Sequence, residues 1–214
     1  MESTERTRVR RLPERGEYDE EAIHAILDEA LVCHVGFVAD GGQPVVIPTI
    51  HARSGTTLYL HGSPASRMLR TIKQGAEVCV TVTLLDGLVL ARSVFHHSMN
   101  YRSAMIYGRP REVTDPDEKM HALERVTEQV ARGRWEDARH PNEKEFKGTS
   151  VVALEIAEAS AKVRTGPPVD DDEDYAMGIW AGVVPVATGF GPPVDDPKLT
   201  DGIDPPGYVT GYER

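Results

Sequence analysis

The stretch LVCHVGFVADGGQPVVIPTIHARSGTTLYLHG, residues 31–62, decides the fold of this chain. It contains three runs rich in apolar and β-branched residues, which are typical of strands. The runs are 31–40, 43–53 and 56–62. The first two are joined by DGGQ and the last two by Ser54-Gly55, and both connections are made of residues that favour tight turns. The stretch therefore predicts a three-strand meander.

Other predicted elements lie on both sides of the meander. Helical spacing of apolar residues predicts an amphipathic helix at 19–29, with Asp19 as its N-cap, and a long charged helix at 116–132. Between Pro64 and Gly75 we predict a short helix, because proline suits a first helical turn and glycine ends a helix. Further β-prone runs predict four strands. These runs are 76–87, 88–97, 101–114 and 150–164, and the dipeptide Asp86-Gly87 predicts a tight turn after the first of them.

The order of these elements limits the fold class. Strands follow one another through short turns and do not alternate with helices, which excludes a doubly wound parallel sheet. We therefore predict a mostly β protein, an antiparallel Greek-key β-barrel with peripheral helices, over residues 1–165. Residues 166–214 are rich in Gly, Pro and Asp and predict an extended C-terminal arm. The hexapeptide GPPVDD occurs there at 166–171 and 191–196, and we interpret the two copies as similar turns.

Composition narrows the class of protein further. The 214 residues suffice for one domain, and the net charge of −10 argues against a duplex-binding surface. A basic cluster near the N-terminus is interpreted as a solvated arm; it comprises Arg6, Arg8, Arg10, Arg11 and Arg15. Neither a signal peptide nor a bilayer-spanning run is visible, so we expect a cytoplasmic protein that contacts no membrane. Cys33 and Cys79 are expected to be buried free thiols.

The segment LYLHGSPASRMLR, residues 58–70, is a candidate phosphate site. A strand ends at His61-Gly62 and a helix begins near Pro64, so free backbone N–H groups lie beside Ser63, Ser66 and Arg67. The alternative is that the serine caps the helix and that the arginines are solvated. A single Ser-Arg pair does not separate the two interpretations.

Three segments together resemble the pyridoxamine 5'-phosphate oxidase-like split barrels that bind flavin mononucleotide (FMN). These are the Ser-Arg helix start, PVVIPTIHAR at 44–53 and LLDGLVLARSVFHHSMNYRSAMIYGRPREV at 84–113. The resemblance covers roughly residues 8–165, and a weaker similarity extends to WAGVVP at 180–185. It is closest to the flavin-nucleotide-binding branch, which includes the nitroimidazole-resistance proteins.

The resemblance implies a role for particular residues. It places Ile47, Pro48, Thr49 and Ile50 along the flavin ring, and Gly62, Ser63, Ser66 and Arg67 around the phosphate. It brings a second strand against the flavin, often from the other protomer; the residues are Asn100, Tyr101, Arg102 and Ser103. Trp180 would cover the ring from the partner subunit. The oxidase's lysine after the strand arginine and its C-terminal Arg-and-Pro ending are absent, so we do not expect pyridoxamine phosphate oxidation.

The histidines leave two alternatives open and predict no metal site. His97 either faces the flavin cleft as a catalytic proton donor or forms with His96 a structural polar pair at the barrel rim. The side chains of neighbouring residues on a strand point to opposite faces, so His96 and His97 do not easily chelate one metal ion. His34, His51 and His61 lie on three predicted strands without the spacing of a metal site. The run from Asp170 to Asp174 is expected to be a solvated loop.

We thus expect a homodimeric FMN oxidoreductase that passes electrons from a reduced nicotinamide to a small-molecule acceptor. The alternatives are a non-catalytic flavin or haem carrier and a deazaflavin-dependent reductase on the same scaffold.

Overall fold

The computed structural model describes residue 1 and residues 3–213, which form a mostly antiparallel β structure with peripheral helices. The strands are β1 (Gly16–Glu17), β2 (Val32–Ala39), β3 (Gln43–Ser54), β4 (Thr57–Gly62), β5 (Val78–Leu90), β6 (Ser98–Gly108), β7 (Arg111–Glu112), β8 (Ser150–Glu155), β9 (Glu158–Arg164) and β10 (Gly182–Pro185). The helices are α1 (Glu20–Glu29), α2 (Arg67–Lys73), α3 (Pro116–Val130), α4 (Arg134–Asp137), α5 (Glu143–Lys147) and α6 (Gly207–Thr210). The predicted fold class is confirmed, although the sheet does not close into a continuous barrel.

The long strand β3 connects the two parts of the sheet. The strand order is β1-β9-β6-β5-β2-β3-β4-β8-β7, and β10 pairs with β5. β3 pairs with β2 over residues 43–50 and with β4 over residues 51–54. β3 and β4 therefore separate beyond the pair His51–Leu60. In the described structure, residues 43–50 of β3 pair with β2 along one edge, and no strand covers their other edge. We call this opening between β3 and the β4–α2 connection the β3 cleft.

Alternating burial along the strands builds the core. In β2, Cys33, Val35 and Phe37 point inward, and α1 covers this interior with Ile23, Ile26 and Leu27. Removing such a side chain down to alanine typically costs about 2–5 kcal/mol of folding stability. The opposite side of the sheet, which we call the outer face, stays exposed over β2, β3, β5 and β6. Its apolar residues are Val32, Val38, Val46, Leu85, Leu88, Met99 and Met105, all at least 37% exposed.

The predicted turn at Asp86-Gly87 is wrong. β5 runs without interruption from Val78 to Leu90, and its pairing with β6 shifts register between Leu85 and Gly87, so Asp86 forms a bulge. Gly87 allows β10 to pack closely against β5, because a Cβ at residue 87 would lie 2.9 Å from Val183 Cγ1 on β10. Glycine marks a neighbouring strand in this case and not a reversal of the chain.

Three other strand predictions are wrong in part, among them the run 101–114, which divides into β6 and β7. The run 88–97 ends as a strand at Leu90 and becomes a 3₁₀ turn at Val94–His96, because the Arg92 and Ser93 N–H groups bond to the Asp170 side chain. The run 150–164 is two strands, β8 on β4 and β9 on β6, separated by a turn at 156–157. That turn contains neither glycine nor proline, so the local sequence gives no turn signal there.

The C-terminal arm is partly ordered against the sheet. The Asp170 side chain is fully buried, so the interpretation of residues 170–174 as a solvated loop is wrong at this position. The two GPPVDD copies also differ, since Asp170 is buried in the first copy while the matching Asp195 is exposed. The division at residues 165 and 166 into domain and arm stays a prediction.

Both cysteines are free, as predicted, with Cys33 buried and Cys79 half-buried. Burial raises the pKa of the Cys33 thiol to about 12, which makes it unreactive at neutral pH. Among the described helices, none has both the length and the apolar character that crossing a membrane requires.

Candidate functional site

The predicted phosphate residues lie together at the end of β4 and the start of α2. Gly62 is the last residue of β4, and the Ser63 hydroxyl accepts the Ala65 N–H at 3.2 Å. Ser66 is the N-cap of α2, but its hydroxyl makes no capping hydrogen bond. The Ser66 hydroxyl is therefore available to a ligand, as are the first N–H groups of the helix. Both interpretations thus remain open: the Ser63 hydroxyl caps the turn before the helix, and the Ser66 hydroxyl is open to a ligand.

Two arginines of α2 line a shallow cleft of about 270 Å³. Arg67 and Arg70 are exposed, and within residues 1 and 3–213 neither guanidinium contacts a carboxylate. Other arginines of the described chain are paired with carboxylates, for example Arg53 with Asp28 at 2.5 Å. The remaining lining residues are Ala39, Asp40, Gln43, Thr71 and Gln74. Two uncommitted guanidinium groups in a polar cleft are suited to anionic oxygens.

The predicted ring-lining residues of β3 border this region. Pro48 lies on the outer face opposite His34 of β2, and Ile50 lies opposite Val32. Ile47 points inward and packs against the core, which holds the strand in place. Thr49 is half-buried opposite Cys33. The free edge of β3 thus lies in the β3 cleft, on the side of the strand where β4 separates from it beyond Leu60.

The sequence analysis considered His61 only as a metal ligand and did not include it in the candidate site, although it directly precedes Gly62 and Ser63. It follows the last β3–β4 pair, and its Nδ1 is buried without a hydrogen-bond partner in the described chain. Burial lowers the pKa of this imidazole, so the ring is neutral at pH 7. The signal was present as the histidine of LHGS at residues 60–63, next to the residues that carry the resemblance.

The predicted residues on β6 divide between fold and surface. The Asn100 amide donates to Gly166 O at 3.1 Å and accepts from the Arg164 guanidinium. Arg102 forms ion pairs with Glu29 and Asp86, and its hydrogen bonds to both carboxylates raise the pKa of the guanidinium. Tyr101 and Ser103 alternate with them, on the outer face of the sheet. A ligand on the outer face would therefore meet the last two residues first.

His97 and Trp180 lie beyond this end of β6. His97 is exposed, and its Nδ1 donates to Ser93 O at 3.0 Å, which leaves Nε2 as the nitrogen that can accept or deliver a proton. The residue sits after the 3₁₀ turn and not inside a strand. The Trp180 ring is 66% exposed and packs over Gly182, at the start of β10.

One protomer does not bring all these residues together. The shallow cleft lined by Arg67 and Arg70 lies beside Ala39 and Gln43, at the end of the sheet where Phe37 pairs with Val78. Ser98, next to His97, pairs with Val89 at the other end of β5. At about 3.3 Å per residue, the distance from Val78 to Val89 is on the order of 30 Å. The phosphate residues and the His97–Trp180 region are therefore at opposite ends of the sheet.

Comparison with known proteins gives consistent results. A family model described as pyridoxamine 5'-phosphate oxidase matches residues 19–163. The structure is similar to the flavocytochrome Anf3 from Azotobacter vinelandii, with 41% identity, a TM-score of 0.91 and coverage of 96% of this chain and 95% of that one. It is also similar to an FAD and heme binding protein from Mycobacterium smegmatis, with 38% identity, a TM-score of 0.88 and coverage of 92% and 96%.

A more distant similarity covers about two thirds of the chain. A structure described as that of a 5-nitroimidazole antibiotic resistance protein from Bacteroides thetaiotaomicron has 26% identity and a TM-score of 0.59, over 69% of this chain and 86% of that one. No curated protein matches the chain.

Proposed function

The chain belongs to the pyridoxamine 5'-phosphate oxidase family of flavin-binding split barrels, and from this we propose that it is a flavin-dependent oxidoreductase with its site in the β3 cleft. One observation carries the proposal: the free edge of β3 lies beside a helix start with two unpaired arginines, Arg67 and Arg70. A flat ring with hydrogen-bonding edges and a phosphate tail needs this combination of a strand edge and a cationic helix start.

The residues of the chain fit a flavin nucleotide. Arg67 and the Ser66 hydroxyl would hold the phosphate. The main chain of Ile47–Ile50 would carry the ring. When bound, a flavin accepts electrons from one partner and passes them to another, while the protein supplies position and electrostatics.

The sequence alone favours FMN, but the second arginine favours a dinucleotide. Arg70 lines the same cleft as Arg67 and, like it, contacts no carboxylate in the described residues. A second phosphate would use it, and the relative from Mycobacterium smegmatis is described as binding FAD. We therefore propose FAD as the nucleotide, with FMN as the alternative. Chromatography of the flavin released by denaturation distinguishes the two.

The reaction we propose is electron transfer from a reduced nicotinamide to a small-molecule acceptor. His97 would act as the proton donor through its free Nε2. Because His97 lies far from Arg67 in one protomer, it would reach the site of the partner subunit in a homodimer. Tyr101, Ser103 and Trp180 would come from the same protomer as His97.

Haem is a second candidate ligand. Two full-length relatives are described as a flavocytochrome and as an FAD and heme binding protein. Two histidines flank the ring-lining residues: His34 opposite Pro48, and His61 with its buried, partnerless Nδ1. A neutral imidazole is an axial ligand for haem iron, so these two residues are the candidates that the structure offers. With both cofactors the protein would pass electrons between flavin and haem.

An absorption spectrum of the purified full chain tests both proposals. Bound flavin gives a yellow protein that reduced nicotinamide bleaches and an acceptor reoxidises, and haem adds a Soret band. A colourless protein that takes up neither FAD nor FMN on titration would contradict the flavin proposal. A yellow protein that is inert to donor and acceptor would identify a carrier. If a Soret band is present and survives in both His34→Ala and His61→Ala, the proposed haem ligands are wrong.

A further inference from the structure

A second group of potential ligands lies where the C-terminal arm meets the β5–β6 connection. The arm is fixed there by Asp170, whose fully buried carboxylate accepts the Arg92 N–H at 2.9 Å and the Ser93 N–H at 3.1 Å. The Arg92 guanidinium also bonds to Asp170 and stacks on Tyr175, with 4.9 Å between its Cζ and the ring centroid. These contacts hold the next residues of the arm against the 3₁₀ turn Val94–His96.

Three metal-ligating side chains meet beside this anchor. His96 Nε2 lies 3.3 Å from Asp171 Oδ2. One ligand atom from each of His96, Asp171 and Asp174 lies within 4.8 Å of the other two. In the described part of the chain, neither carboxylate has a lysine or arginine partner. Two carboxylates and an imidazole thus converge without a fixed positive charge to balance them.

We propose that His96, Asp171 and Asp174 bind a divalent transition-metal ion, with Zn²⁺ as the ion that suits them best. One imidazole and two carboxylates form a mixed nitrogen and oxygen set, which favours Zn²⁺ over Mg²⁺ and Ca²⁺. Tetrahedral ligands at about 2.0–2.2 Å from zinc are roughly 3.4 Å apart, so the three groups need to approach by only about 1 Å. The exposed side chain of Asp171 can make this movement. Water would complete the coordination.

The role we assign to this metal site is structural. Its ligands come from two segments about 75 residues apart in sequence, the β5–β6 connection and the arm. An ion bound to all three would tie the arm to the barrel just before Trp180 and β10. None of the three ligands is among the residues proposed to bind flavin, so Zn²⁺ binding can be tested without bound flavin.

Zn²⁺ titration of the full chain, first stripped with a chelator, tests the proposal near neutral pH. Calorimetry gives the affinity, and thermal melting and limited proteolysis of the arm give the structural effect. We expect Zn²⁺ to raise the melting temperature and to slow cleavage between residues 171 and 182. In His96→Gln and Asp171→Asn we expect Zn²⁺ affinity to fall by at least about tenfold, because even outer-shell losses cost 10–100-fold.

Two matched variants control for nonspecific binding. Asp172→Asn changes an exposed carboxylate of the same loop, and His140→Gln removes an exposed histidine elsewhere. Both should bind Zn²⁺ like the wild type. Absence of binding to the wild type, or equal binding by Asp171→Asn, would overturn the proposal, and so would Ca²⁺ binding that His96→Gln leaves unchanged. If His96→Gln fails to fold, Asp171→Asn decides, because its side chain is 74% exposed. The flavin spectrum should not change in any of these variants.

Discussion

At the scale of single residues, Arg67 is the side chain that distinguishes a phosphate-binding site from an ordinary helix start. Its guanidinium is exposed and has no carboxylate partner in the described chain, so its removal breaks no ion pair of the fold. We predict that Arg67→Ala weakens flavin binding at least tenfold, because charge-assisted hydrogen bonds to a phosphate contribute about 1.5–3 kcal/mol each. A flavin fluorescence titration measures this effect.

The control for Arg67 is Arg11→Ala, which removes an exposed arginine of the N-terminal arm. It should leave flavin affinity and melting temperature unchanged. Riboflavin, which has no phosphate, should bind the wild type poorly. Equal flavin affinity of Arg67→Ala and wild type would contradict the phosphate assignment.

His97 tests whether the far end of the outer face takes part in chemistry. We predict that His97→Gln keeps its flavin and its melting temperature but loses about 10²–10⁴ in turnover, the usual contribution of acid–base catalysis. Steady-state kinetics with any acceptor that the wild type uses would show the loss. A structural role predicts the opposite order: stability falls first, and activity follows the folded fraction. A loss of turnover in His96→Gln alone would assign the role to the neighbouring residue.

At the scale of elements, β10 shows how the arm is held on the sheet. Its four residues pair with Gly87–Leu90 of β5, and this pairing needs a glycine at residue 87. We predict that Gly87→Val displaces β10 and destabilises the protein by about 1–3 kcal/mol, because the added carbons collide with Val183 and the Val184 carbonyl. Thermal melting and limited proteolysis around residues 182–186 measure the two effects.

The matched variant for Gly87 is Gly191→Val, since nothing lies within 4 Å of a Cβ at residue 191. It should melt like the wild type. If Gly87→Val behaves in the same way, β10 does not pair with β5 as described.

At the scale of the whole molecule, the outer face predicts assembly. Apolar residues such as Val46, 64% exposed, and Met99, 51% exposed, would stay in water in a monomer, and such patches usually mark an interface. A two-fold axis would also bring His97 of one protomer toward Arg67 of its partner. We predict that sedimentation at micromolar concentration shows a species of twice the 23.5 kDa chain mass.

The test of this interface is Val46→Glu, because a charge at its centre opposes association while the exposed position spares the monomer fold. We expect this variant to sediment as a monomer and to bind flavin more weakly. Val194→Glu, at a 93% exposed position of the arm, should remain a dimer. A wild-type chain of 23.5 kDa in solution would contradict the prediction.

The sequence by itself determined the elements whose signals are local. The apolar, β-branched runs within 31–62 predicted β2, β3 and β4, and the helical spacing over 116–132 predicted α3. The residues around Ser66 and Arg67 were found in the same way, because a strand end, a glycine and a helix start follow each other within a few positions. Predictions from such local signals hold in the folded protein, because backbone preference and side-chain direction depend on residues within one or two turns of the chain.

Only the tertiary structure decided the features that depend on distant partners. Asp86-Gly87 became a bulge because β10 packs there, and residues 92–93 left the sheet because Asp170, 78 positions away from Arg92, takes their N–H groups. The metal-ligating cluster at His96 arises from the same meeting of segments. The physical reason is that these contacts gain free energy only when the chain has already brought the partners together, so neither segment carries their signal alone.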